Sequence, residues 1–275
     1  MRRSAPRLAW ASRARLGTPF LWRAAIVGAL VGCPKPQPPA FGPEPELRVG
    51  LAVGAASVRL GGDGELFVTD DGDGIPVGAV APGTVWTVLP DSGGGLVLVR
   101  PDGTRTGRHA GISAVNVTEG RLAMVSGRRY RGRVNLLRDR TGLTLVNRVP
   151  LESYLAGVLG QEMGPRRPEE REALLAQAVV ARTFALRNRG RWEAQGYDAT
   201  ADTRDQVYAG ADGETAQVWD AVRATAGEVV RYQGRLIEAY YHASCGGRTA
   251  AVEEVFRSAL RQPYLRSVSD QARDG

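Results

Sequence analysis

The sequence predicts an α+β fold, a β-rich N-terminal half followed by a mixed helix/strand region. Three observations carry that expectation. From Leu47 to Arg148, short Val- and Leu-rich runs are punctuated by Gly/Asp turns. At Val149 the apolar spacing changes from that of a strand to the 3/4 spacing of a helix. After Gly227 the β-rich pattern returns. Strands and helices are therefore segregated along the chain, not alternating as in an α/β fold.

Composition narrows the class. With 275 residues and 43% hydrophobic content, the chain is able to bury a real core, which excludes wholesale disorder. Two cysteines cannot form a disulfide framework, and two histidines do not suggest a His-rich metal site. The formal charge of +7 is concentrated at the start. Arg2, Arg3, Arg7, Arg13, Arg15 and Arg23 precede residue 33 with no acid among them, and the remainder is near neutral. A nucleic-acid partner needs a basic patch in the folded part, so none is expected.

Residues 1–32 read as an export signal. The Arg-rich start leads into Ala24–Gly32, an apolar stretch too short to cross a bilayer as a permanent helix. Leu30-Val31-Gly32-Cys33 resembles the bacterial lipobox, which implies acylation of Cys33 and a membrane contact through that lipid. Residues 33–46 follow as a Pro-rich tether. The expected location is exported, lipid-anchored and periplasmic. Pro34, where inner-membrane retention would favour aspartate, points to the outer membrane.

Within the β-rich region, 47–148, strands are expected around Val49–Val53, Leu66–Val68, Val85–Leu89, Leu96–Val99, Leu122–Val125 and Leu143–Val146. Gly61-Gly62-Asp63-Gly64 and Asp70-Asp71-Gly72-Asp73-Gly74 read as turns. The second cluster invites a calcium loop, but Ile75 stands where an oxygen ligand is needed and no glutamate closes it. Residues 149–275 form the second region. Pro150 suits a helix N1 position, and Leu151, Leu155, Val158 and Leu159 supply a helical face to about Gly160. Pro168 opens a second helix, with acids in its first turns and arginines at its end. A third helix covers roughly 214–226, and 229–241 reads as a hairpin.

The chemistry centres on Glu162, between the first two helices. A carboxylate at the C-terminal end of a helix meets the negative pole, which favours its protonated form. Apolar Leu159 and Met163 would add to that effect. A carboxylic acid poised to protonate a leaving oxygen needs such surroundings.

Five ordered blocks give Glu162 a context. They are Val149–Val158 with Glu162-Met163, Ala176–Ala185, Gln206–Gly210, Ala224–Val230 and Tyr240–Thr249. Together they closely resemble the SpoIID/LytB (stage II sporulation protein D) family. The resemblance implies a sporulation-related peptidoglycan lytic transglycosylase that acts on peptide-free glycan strands without a cofactor. Glu162 occupies the place of the family's essential glutamate. Gln177 and Arg182 match residues near the family's cleft, and Arg182 is expected to hold an acetamido or lactyl group or to position Glu162. Tyr241, His242 and Ser244 are expected to line the sugar site, the alternative being a packed strand end. The LytB name implies the alternative of a glycan-binding module that enhances a partner cell-wall amidase.

Other chemistries are weaker. A thiol nucleophile at Cys245 with His242 would place the pair on opposite faces of a strand and lacks an orienting third group. Some members of the family hold zinc through His and Cys at this block. Here Asp202-Thr203-Arg204-Asp205 stands where a second soft ligand belongs, and Cys33 is committed to lipid, so no metal is expected. Relatives usually continue past the block at Pro263-Tyr264-Leu265 with a Gly-His-Gly-rich segment. The expectation is a domain short of its last cleft wall at the C-terminus.

Overall fold

The computed structural model describes residues 44–256 and 260–270. The expected leader 1–32, Cys33 and all but the last three residues of the 33–46 tether lie outside them. In chain order the β-rich region contributes β1 (Glu46–Ala55), β2 (Val58–Gly62), β3 (Leu66–Asp70), β4 (Pro76–Val80), β5 (Val85–Pro90) and β6 (Leu96–Val99). It continues with β7 (Gly111–Asn116), β8 (Ala123–Val125), β9 (Arg128–Tyr130), β10 (Arg133–Arg138) and β11 (Leu143–Pro150). Next come α1 (Leu151–Met163), α2 (Arg171–Arg187), β12 (Ala199–Thr200) and α3 (Ala216–Ala224). The last elements are β13 (Arg231–Tyr232), β14 (Arg235–Leu236) and α4 (Val252–Val255). The fold is α+β.

Beside the two-stranded β13–β14 hairpin, two sheets organise the described strands. One has seven strands in the order β12-β1-β11-β10-β7-β3-β4, and the other has five in the order β6-β5-β2-β8-β9. Inward positions such as Leu60, Leu66, Val68, Val88, Leu98, Ile112 and Leu136 have no solvent exposure, and the same buried cluster extends to Leu155, Val158, Val218 and Val222. The expected boundary between 148 and 149 falls inside β11, which pairs with β1 from Glu46↔Pro150 onward. On its other side β1 takes β12 in parallel, through Val49↔Ala199 and Gly50↔Thr200. The β-rich region and the helical region thus share one sheet and one core.

Several expectations change locally. Gly61 and Gly62 end β2 and do not form a turn. Side chains there would meet the Thr84 carbonyl at 2.6 Å and the Leu122 carbonyl at 2.9 Å, so close strand approach demands glycine. The Asp70–Gly74 turn is held by its own carboxylates, Asp70 accepting from Gly72 N–H and Asp73 from Ile75 N–H. Asp70 also lies 2.7 Å from His109 Nδ1. Pro168 opens a 3-10 turn over Pro168–Glu170, and α2 begins after it. The 229–241 hairpin shrinks to two paired residues on each side.

The helices are capped by tertiary contacts as much as by local ones. Pro150 takes the N-cap place of α1, one position before the expected N1. The Glu44 carboxylate accepts from the Glu152 N–H at 2.6 Å and the Pro45 carbonyl from Leu151 N–H. An anion at the positive end of a helix is favourable. Thr215 caps α3, its hydroxyl accepting from Val218 N–H.

Gly157 and Gly160 sit inside α1, where glycine costs about 1 kcal/mol against alanine. They are required by what crosses them. A Cβ on Gly157 would strike the Tyr208 ring, and one on Gly160 would overlap the Gly213 carbonyl oxygen. Gly160→Ala should therefore lose stability despite its better helix propensity. The expected loss is about 2 kcal/mol or more, because a backbone oxygen cannot rotate away. Urea unfolding of Gly160→Ala checks this; equal or higher stability would show that the 208–213 segment is free to shift.

Candidate active site

The close crossing at Gly157 and Gly160 brings residues 206–213 against α1. Ala209 N–H donates to the Gly157 carbonyl, and two positions earlier Val207 N–H donates to Glu162 Oε1 at 3.0 Å. Glu162 lies in the last turn of α1, where the helix runs three residues past its expected end. It is half-buried, with one oxygen held by a main-chain amide.

A second support comes from Gln206. It is 1% exposed. Its Oε1 accepts from the Tyr154 hydroxyl at 3.1 Å, and its Nε2 donates to the Tyr241 hydroxyl at 3.1 Å and to the Ala181 carbonyl. This polarity leaves the Tyr241 hydrogen for the Glu162 carboxylate, with which the phenol interacts. Burial is the main cause that pushes the Tyr241 pKa up to about 12. The Gln206 hydrogen bond pulls the other way, and the charge of Glu162 and its hydrogen bond to the phenol add to the rise. Tyr241 is thus a neutral donor at any ordinary pH.

Glu162 and Tyr241 open onto a cleft of about 540 Å³ lined also by Phe184, Asn188, Arg191, Asp205 and Tyr240. Asp205 is the other carboxylate there, and its side chain is 2% exposed. Its oxygens are occupied by Arg191 Nη1, Trp192 Nε1, and the amide and hydroxyl of Thr200.

Of the residues expected at the site, Glu162 and Tyr241 come together. Arg182 does something else. It has no exposure, and its Nε and Nη2 donate to the two oxygens of Glu152 at 2.9 and 2.6 Å. The remaining guanidinium hydrogens reach the Val222 and Glu228 carbonyls. The expected contact with sugar or with Glu162 is replaced by an ion pair with Glu152, because the α1, α2 and α3 packing seals the guanidinium from the cleft. Gln177 is half-buried on α2, its Nε2 without a hydrogen-bond partner, and does not line the cleft. His242 and Ser244 are exposed and do not line it either. The alternative of a packed strand end is not met either, since 237–244 has no regular structure. Cys245 Sγ lies 3.1 Å from Asp270 Oδ2. Among the described residues no group of three or more His, Cys, Asp or Glu side chains gathers as for a metal. Tyr154, Gln206 and Val207 were assigned no role from sequence. The signal available was a polar glutamine inside the otherwise apolar block Gln206-Val207-Tyr208-Ala209-Gly210.

Residues 139–232 match the family model described as stage II sporulation protein, SpoIID. This stretch is a SpoIID-family domain. It contains Glu162, Tyr154, Arg182 and Gln206, while Tyr241 lies beyond it. The chain is similar to the stage II sporulation protein D of Bacillus subtilis, 33% identical over 145 residues, covering 47% of this chain and 41% of that protein. It is also similar to an uncharacterised protein of Brachyspira hyodysenteriae, 37% identical over 148 residues, covering 52% and 38% of the two chains. A third relative is the amidase enhancer of Bacillus subtilis, 38% identical over 99 residues, or 36% of this chain and 13% of that one. The chain thus spans about two fifths of the first two relatives' length. No solved structure matches.

The two placements of Arg182 predict different outcomes. A buried partner removed from an ion pair costs about 3–5 kcal/mol, so Arg182→Met should lower thermal stability strongly. Arg182→Met with Glu152→Leu should recover much of the loss. A stable Arg182→Met protein with weakened glycan binding would instead put the guanidinium in the substrate site.

Proposed function

We propose that the protein is a peptidoglycan lytic transglycosylase that cleaves peptide-free glycan strands with Glu162 as sole acid and base. The observation that carries this reading is the unequal state of the two cleft carboxylates. Glycosidases that use water or form a covalent intermediate need two working carboxylates. Asp205 is buried and saturated with donors, which leaves Glu162. One carboxylate suffices if the nucleophile belongs to the substrate.

In that reaction the protonated Glu162 gives its proton to the glycosidic oxygen as the bond to C1 of N-acetylmuramic acid breaks. The 6-hydroxyl of the same sugar then attacks C1, and its proton passes to the Glu162 carboxylate. The products are a 1,6-anhydro end and a free 4-hydroxyl, and Glu162 is returned protonated. The tethered nucleophile carries the entropy advantage of an intramolecular reaction. Val207 N–H and the Tyr241 phenol would hold the carboxylate through both transfers.

The test is digestion of peptide-free strands followed by mass spectrometry. Wild type should release anhydro-ended fragments and Glu162→Gln should lose this by about a hundredfold or more. Equal release by the two proteins would remove Glu162 from the chemistry. The similarity to an amidase enhancer favours a second reading, a glycan-binding partner of a cell-wall amidase. It predicts amidase stimulation that survives Glu162→Gln.

For location, the proposal is export and lipid anchoring through Cys33, with the outer membrane as destination. No helix among the described residues is long and apolar enough to cross a membrane. Cys33→Ser should move the protein from the membrane to the soluble fraction on cell fractionation. Retention in the membrane would rule out the lipid as anchor.

A further inference from the structure

Three of the four aromatic side chains left exposed among the described residues, Tyr232, Tyr240 and Phe256, fall on two neighbouring cavities. Scattered exposed apolar groups need no explanation, but gathered ones mark a binding surface. Tyr240 and Phe256 pair at 4.9 Å between ring centres in the Glu162 cleft. Tyr232 and Tyr264 pair at 5.2 Å in a second cavity of about 640 Å³.

The two cavities are built from the same pieces. The end of α2 sends Phe184 and Asn188 to the first, and Leu186 and Arg187 to the second. Two residues apart in the chain, Glu238 lines the second cavity and Tyr240 the first. Around Tyr232 and Tyr264 stand planar polar groups, namely Gln233, Gln262 and the Arg187–Glu238 ion pair at 2.6 Å. The β13–β14 turn has positive φ at both Gln233 and Gly234, a type I′ geometry that suits the short hairpin presenting Tyr232.

Aromatic faces accept the C–H faces of pyranose rings, and amide, guanidinium and carboxylate groups bond their hydroxyl and acetamido substituents. A protein-docking surface would favour a more continuous apolar area. A polymer cleaved within the Glu162 cleft must also leave it, and the second cavity is lined by residues next in sequence to those of the cleft, at the end of α2 and at 238–240. We propose that this second cavity is a distal glycan subsite, in which Tyr232 and Tyr264 stack a sugar of the strand being cleaved at Glu162. The proposal rests on the glycan-cleaving reading for its substrate and adds where the strand goes.

The probe is peptide-free glycan strands sorted by length, bound to the Glu162→Gln protein by calorimetry so that no turnover intervenes. Adding Tyr232→Ala should weaken binding of long strands by about tenfold and leave disaccharide binding and melting temperature unchanged. Tyr232→Trp should keep the long-strand affinity. Long strands that bind equally well without the ring, or not at all to the parent, would overturn the subsite. So would capture of a partner amidase that needs Tyr232 while strand binding does not. The cleavage assay separates the two readings. Ring-dependent binding without anhydro products keeps the subsite and sinks the lytic reaction. Anhydro products with ring-independent binding do the reverse.

Discussion

The Arg182 guanidinium donates to both oxygens of Glu152, to the Val222 carbonyl in α3 and to the Glu228 carbonyl after it, all from a position with no solvent exposure. An unpaired charge in that place would cost several kcal/mol. The helices are therefore locked to an arrangement in which every guanidinium edge is served. Glu152 opens α1, Arg182 lies in α2, and Val222 and Glu228 flank the end of α3. Three elements are thereby tied by one side chain, and the cleft beside Glu162 is built on them. The Gly227 amide also lies within reach of the Glu152 carboxylate, which extends the network to the loop leading into β13.

Glu162 is positioned at one remove from this network. Its own helix is fixed by the ion pair at the N-terminal end and by the glycine crossing in the middle. The crossing segment then delivers two successive residues with different tasks. Val207 presents a main-chain amide to Glu162, and Gln206 turns its amide between Tyr154 and Tyr241. The glutamine amide has a fixed polarity, so accepting from one tyrosine obliges it to donate to the other. A hydrogen-bonded buried network of this kind specifies a single geometry because any other leaves polar groups unsatisfied.

Much of this was legible in the chain. The spacing of Leu151, Leu155, Val158 and Leu159 marked α1, and α3 falls within the 214–226 expected for a third helix. Glu162 stood out at a helix end next to apolar residues. The strands β2, β4, β7, β9, β10 and β12 escaped notice, because their apolar runs are short and interrupted by Gly, Ser, Asn or Arg. Their pairing partners lie elsewhere in the sequence, as with Asn135↔Ser113 and Asn135↔Val146. The shared sheet was equally hidden, since β1 and β11 meet across nearly a hundred residues of chain.

Local pattern was enough for the α+β class, the helices, and the glutamate at the end of the first of them. These depend on neighbours along the chain, where spacing and propensity act directly. The roles of the polar residues were decided by tertiary packing. Arg182 became a buried partner of Glu152, and His242 and Ser244 stayed exposed outside the cleft. A polar side chain bonds to whatever the fold brings within about 3 Å, and that neighbour is rarely adjacent in sequence. Asp205 shows the same point from the other side. In the sequence, Asp202-Thr203-Arg204-Asp205 only occupied the place of a missing metal ligand, yet in the folded chain four donors from three residues fill Asp205.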